Sequence, residues 1–195
     1  MYALYITHPQ VRIDPAVPVP DWGLSDVGAA RARLAAERPW ARELGLIVSS
    51  GERKAIETAA ILASASGAAV ETIEAMHEND RSATGFLAPP EFEAAADWFF
   101  AHPEESFKGW ERAIDAQRRI VCEVEAVLAR HDPQVPIAFV GHGGVGTLLK
   151  CHLQRKPIAR QGDQPGGGGN LFGFDLAKRV VSCDWTPMED WQGWA

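Results

Sequence analysis

The chain has 195 residues, the length of one domain or of one domain with a generous insertion. Hydrophobic residues at 46% and charged residues at 23% exclude a disordered or collagen-like chain and leave enough apolar material for a core. Nineteen Lys and Arg against 26 Asp and Glu give a net charge of −7, a poor balance for non-specific binding to nucleic acid or an anionic membrane. Any anion the chain binds must therefore be met by a local positive pocket.

No run approaches the roughly 18 uninterrupted apolar residues of a membrane span. The start of the chain lacks a secretory signal pattern, because it has no basic opening and His8-Pro9 interrupts the first apolar run. Cys122, Cys151 and Cys183 are odd in number and widely spaced, as expected of free thiols in a reducing cytoplasm. Neither a membrane nor a nucleic acid is expected as a partner.

The elements follow in chain order. Residues 2–7 form a short apolar run read as a buried strand, which leads into a proline-punctuated loop over 14–20. Ser25 is placed to cap an alanine-rich helix running to about residue 37. Residues 44–49 read as a second buried strand, followed by Gly51 and a helix over about 53–64 with Ala55, Ile56, Ala59, Leu62 and Ala63 on one face. A weaker strand is expected over 70–73. The stretch 78–109, with Pro89-Pro90, a short helix around 92–100 and His102-Pro103, breaks the βα rhythm. It reads as an insertion over one end of the sheet, where lids and specificity elements sit.

The spacing of Trp110, Ala113, Ile114, Ile120, Val121, Val124 and Leu128 predicts a long helix over 110–130. A third strong strand over 136–140 runs into Gly141-His142-Gly143-Gly144 and a helix from about 145 to 153. The glycine run 166–169 reads as a flexible loop, and 171–176 with 180–185 as a closing hairpin. Trp185, Trp191 and Trp194 are read as core or terminal packing rather than a contact surface. This alternation argues for a three-layer α/β/α sandwich with a largely parallel central sheet, formed by a single domain over 1–195.

In such sheets ligands gather beyond the carboxyl ends of the strands. That rule selects Thr7-His8, Ser49-Ser50 with the helix behind it, and Gly141-His142. Two histidines at parallel places suit phosphoryl transfer: one imidazole attacks phosphorus while the other donates hydrogen bonds to the phosphoryl oxygens. Nearby helix starts offer free N–H groups to an anion.

These motifs resemble the histidine phosphatase superfamily, the phosphoglycerate mutase-like proteins. Thr7-His8-Pro9 stands where that family has Arg-His-Gly, and Leu24-Ser25-Asp26-Val27-Gly28 is similar to its Leu-Ser/Thr-x-x-Gly segment. The run from Ser49 through Arg53, Lys54 and Thr58 to Ala59 is similar to Ser-Ser-x-x-x-Arg-Ala-x-x-Thr-Ala. Met76-His77-Glu78 matches Leu-x-Glu, Gly141-His142-Gly143-Gly144-Val145 matches the second histidine motif, and Asn170 precedes the last hairpin as expected. The resemblance implies a metal-free and cofactor-free site acting on a small phosphorylated substrate. His8 would be the nucleophile, His142 the stabiliser of the transferring group and Glu78 the proton donor, with Thr7, Lys54 and His142 facing the phosphate.

Two family arginines are replaced, by Thr7 and Lys54, and a lysine lacks the guanidinium fork. Arg12, Arg53 and Arg81 stand near enough in sequence to raise the question of compensation, although solvent-facing loop charge is the plainer reading of Arg12 and Arg81. Hydrolysis is expected over isomerisation, since the insertion is short for a mutase. The rival reading is a weakened relative that binds or senses phosphate esters. Gly141-x-Gly143-x-x-Gly146 formally matches a dinucleotide fingerprint, but it comes late in the chain, and Asp163 follows in a polar loop. His77-Glu78-Asn79-Asp80 lacks any spaced ligand set that a metal would need.

Overall fold

The computed structural model describes residues 1–194. Its centre is a six-stranded sheet in the order β3-β2-β4-β1-β5-β6. The strands are β1 (Tyr2–Thr7), β2 (Leu46–Ser50), β3 (Ala69–Ile73), β4 (Ile137–Gly141), β5 (Asn170–Asp175) and β6 (Val181–Pro187). β3, β2, β4 and β1 pair in parallel, whereas β5 runs antiparallel to both β1 and β6. The sheet is thus mixed, with only β5 reversed.

Alternation along each strand sends side chains to two cores. Ala3 and Tyr5 of β1 join Phe139 and Phe172 under α5 (Ala113–Leu128) and α6 (Gly143–Leu153). Leu4 and Ile6 point the other way, onto α1 (Asp26–Ala36), the short α2 (Pro39–Arg42) and α3 (Arg53–Ser66). Helices on both faces make the three layers. Residues 78–109 hold α4 (Pro89–Ala101), whose Ala95, Phe99 and Phe100 pack with Trp110 into the α5/α6 core. The expected insertion is therefore anchored by its own apolar face.

Boundaries shift in two informative places. α6 begins at Gly143, two residues before its expected start, because a carboxylate from residue 78 caps its first turn. The glycine run is pinned rather than loose. Gly167, Gly168 and Gly169 have φ of 91°, 64° and 66°, Arg31 donates to the carbonyls of Gly168 and Gly169, and Gly169 N–H donates to the His8 carbonyl at 3.0 Å. Of the late tryptophans, Trp185 packs on Phe172 and Trp191 is buried, while Trp194 is 37% exposed. Among the described residues no helix is long and apolar enough to cross a membrane.

Candidate active site

Parallel pairing of β1 with β4 brings the two histidines together. Thr7 stands opposite Gly141, and His8 N–H donates to the Gly141 carbonyl at 3.0 Å, so His8 and His142 leave adjacent strand ends side by side. Their ring centroids are 5.3 Å apart, edge to face.

His8 has its Nδ1 2.9 Å from the Pro9 carbonyl. A carbonyl only accepts, so this contact places the ring proton on Nδ1 and leaves a lone pair on Nε2. Burial, reinforced by His142 and Lys54, lowers the His8 pKa to about 3, so the ring is neutral at pH 7.

His142 is buried, and Tyr5 clamps its backbone from below. The Tyr5 hydroxyl donates to the His142 carbonyl and accepts its N–H, both at 3.1 Å. The ring Nε2 lies 2.8 Å from Ser50 Oγ and 3.4 Å from Glu52 Oε1. Its Nδ1 is buried without a partner among the described residues. Burial lowers the His142 pKa against the opposing pull of Glu52 and Glu78. Assigning the Ser50 hydroxyl as the donor to Nε2 puts the proton of the neutral ring on Nδ1, where it has nothing yet to bind.

Glu78 reaches the same place from the insertion. Its two carboxylate oxygens accept the N–H groups of Gly144 and Val145 in the first turn of α6, each at 3.0 Å, and of Asn79 at 3.0 Å. Arg119 of α5 fixes the approach by donating to the carbonyls of Ala75 and His77 at 2.7 and 2.9 Å while paired with Glu111. Burial raises the Glu78 pKa, but Arg81, His142 and the Gly144 and Asn79 N–H groups outweigh it and hold the carboxyl below its ordinary value. Glu78 is ionised at rest.

The two positions that depart from the family pattern are both committed within the protein. Thr7 is fully buried; its hydroxyl lies 2.6 Å from Gln164 Oε1, 3.2 Å from the Asn170 carbonyl, and accepts Asn170 N–H at 3.0 Å. The Thr7 hydroxyl is therefore spent on Gln164 and Asn170. Asn170 Nδ2 also donates to Gln164 Oε1, at 3.0 Å, which turns the Gln164 amide nitrogen toward Gly143, where a Cβ would collide with it. Lys54 is buried, pairs with Glu52 and donates to the Val19 carbonyl at 2.9 Å. Glu52 thus stands between the Lys54 ammonium and His142.

Arg12 is 74% exposed at 4.0 Å from Asp26, and Arg53 is 63% exposed and paired with Glu57. Arg81 departs from the solvent-facing reading. It is half-buried, with its guanidinium carbon 5.0 Å from the Phe92 ring centroid and 5.7 Å from that of Trp110. Tyr5, Glu52 and Gln164 were not singled out as site residues from sequence. Only Glu52 carried a local signal, as a carboxylate two residues before Lys54 in the Ser-Ser segment. Among the described residues no three His, Cys, Asp or Glu side chains converge as a metal cage requires.

The family model of the histidine phosphatase superfamily (branch 1) matches residues 13–167. The chain belongs to the histidine phosphatase superfamily. The matched span of this histidine phosphatase begins after His8, beyond the divergent Thr7-His8-Pro9. A glucosyl-3-phosphoglycerate phosphatase of Mycobacterium tuberculosis is 28% identical over 183 residues, covering 88% of this chain and 79% of the relative. The native structure of a mycobacterial glucosyl-3-phosphoglycerate phosphatase shares the fold with a TM-score of 0.78 at 23% identity, over 95% of this chain and 98% of that one. Bacillus stearothermophilus YhfR has a TM-score of 0.79 at 20% identity, covering 96% and 98%. The α/β sandwich read from the sequence is the fold these structures share.

Proposed function

We propose that the chain is a phosphatase that hydrolyses a small phosphate monoester through a phosphohistidine at His8. The observation that carries this reading is the pair of uncommitted nitrogens at adjacent strand ends, His8 Nε2 with a free lone pair and the orphaned His142 Nδ1. Membership of the superfamily and the phosphatase relatives support it.

In the first step the His8 Nε2 lone pair forms a bond to phosphorus as the ester P–O bond breaks. His142 Nδ1–H donates to a phosphoryl oxygen, and Glu78 delivers a proton to the departing alcohol oxygen. Since Glu78 is ionised at rest, that proton arrives with the substrate, as the proton of a phosphate monoanion passed to the carboxylate. In the second step Glu78 takes a proton from water, the water oxygen bonds to phosphorus, and the N–P bond breaks to restore His8; the proton on Glu78 then leaves with the phosphate, which departs as its monoanion and returns Glu78 to the carboxylate. No metal and no cofactor enters these steps. The three free cysteines suit a reducing compartment, and we place the protein in the cytoplasm.

The Glu52 carboxylate on Lys54 favours one rival, a phosphate-ester binding or sensor protein, because it neutralises charge that a dianion would use. Hydrolysis of an aryl phosphate by wild type and by His8→Ala separates the two. The phosphatase reading expects a rate at least about a thousandfold above that of the variant, together with acid-labile phosphate on wild type after rapid quench. Equal rates, with phosphate still bound, leave the sensor.

A further inference from the structure

We propose that Arg81 is the arginine that grips the substrate's phosphoryl oxygens, delivered by the insertion rather than by β1 or α3. The inference rests on the phosphate-ester reading of the site and adds to it the group that supplies the missing positive charge.

The cations around the site differ in what they have left to offer. Lys54 is paired with Glu52, Arg53 with Glu57 and Arg119 with Glu111, and Arg12 lies in solvent near Asp26. Among the described residues Arg81 has no carboxylate within ion-pair distance and no side-chain hydrogen bond, so all five of its N–H donors are unspent. A half-buried guanidinium without an acid is costly unless something else holds it. Here two rings do so, Phe92 of the insertion and Trp110 just after it, both facing its guanidinium carbon. Trp110 is itself fixed, buried in the core and donating through Nε1 to Thr84 Oγ1 at 2.8 Å. The rings restrain the guanidinium in advance, which lowers the entropy lost on binding an anion.

Arg81 also sits in the right neighbourhood. It follows Glu78 by three residues, and Glu78 is tied to the first turn of α6 beside His142. The positive charge of Arg81 is felt at both Glu78 and His142. Between them in sequence, Asn79 is 6% exposed with its Nδ2 unpartnered among the described residues, a second unspent donor on the same short segment. A segment that combines a racked guanidinium, an orphaned amide and the proton donor is built to receive an oxyanion.

The test is direct binding of inorganic phosphate and orthovanadate by calorimetry to wild type, Arg81→Met and Arg81→Lys, with melting curves for each. Methionine keeps an apolar stem against the rings, and lysine keeps the charge without the fork. The expected result is binding about 10- to 100-fold weaker in R81M, with R81K between it and wild type, at little change in melting temperature. R81M binding as tightly as wild type overturns the proposal, and so does a wild type that binds neither anion. If R81M fails to fold, R81K decides, since binding equal to wild type by that variant removes the fork. Wild type that binds phosphate through Arg81 but never hydrolyses an aryl phosphate overturns the phosphatase reading and leaves this inference standing.

Discussion

Glu52 and His142 lie 3.4 Å apart, Oε1 to Nε2, and the other oxygen of Glu52 is on the Lys54 ammonium. Burial raises the Glu52 pKa, but His142, Lys54 and the Glu78 N–H pull it down to about 2. A depressed carboxylate contributes stability above its ordinary value near 4.5, and that contribution is lost as the pH falls toward about 2. The resting site thus carries its own counter-ion.

Glu52→Gln removes that charge and strands Lys54, at a cost of about 3–5 kcal/mol in phosphate-free buffer. Added phosphate then replaces the lost partner, so phosphate raises the melting temperature of E52Q by more than that of wild type. Equal shifts in thermal melts of the two proteins would show that Glu52 does not compete for the phosphate position.

The resting ionisation of Glu78 sets the pH profile. With its pKa lowered, Glu78 is a carboxylate well below neutrality, and in the proposed mechanism the leaving-group proton comes with a substrate monoanion. Phosphate monoesters lose their second proton near about pH 6. The expected kcat/KM therefore falls about tenfold per pH unit above that value, measured with a substrate whose own pKa is known. A flat profile to pH 8 would mean that the dianion reacts and the proton has another source.

Tyr5→Phe tests the clamp beneath His142. The change leaves the buried N–H and carbonyl of His142 without the hydroxyl that now serves both. A loss of about 1–3 kcal/mol in denaturant unfolding is expected. A fall in kcat larger than any rise in KM should accompany it, because the ring is misplaced rather than removed.

Gly168→Ala probes the glycine run from the other side. Gly168 has φ of 64°, and an added Cβ would collide with the carbonyl of His8. The left-handed backbone alone costs about 1–2 kcal/mol, and displacement of His8 should lower turnover about 10- to 100-fold. Steady-state kinetics beside a melting curve separates the two effects.

Much of this was legible along the chain. β1, β2 and β4 announce themselves because five of six, four of five and five of five residues are buried, which leaves nearly unbroken apolar runs. The two histidines were readable as strand-end residues for the same reason. α2 was not, since four residues starting at Pro39 give no helical period, and Trp40 is held by the core rather than by propensity. The start of α6 was misplaced because its cap comes from Glu78, 66 residues before Gly144. Gln164 was invisible for a similar reason: its partner Thr7 is 157 residues away, and no local pattern marks a contact of that range. Arg81 could be named from the sequence but not weighed, because its value depends on two rings that only folding brings beneath it.

The loop after β1 and the insertion touch through Trp22 and Phe86, whose ring centroids are 5.6 Å apart. Trp22 is pinned by hydrogen bonds from its Nε1 to the carbonyls of Asp14 and Val17, at 2.9 Å each, whereas Phe86 is 43% exposed. The contact between loop and insertion therefore joins one fixed ring to one that is partly open to solvent. Trimming Phe86 to alanine would loosen the tie between the loop and the insertion while leaving the sheet, His8, His142 and Glu78 in place.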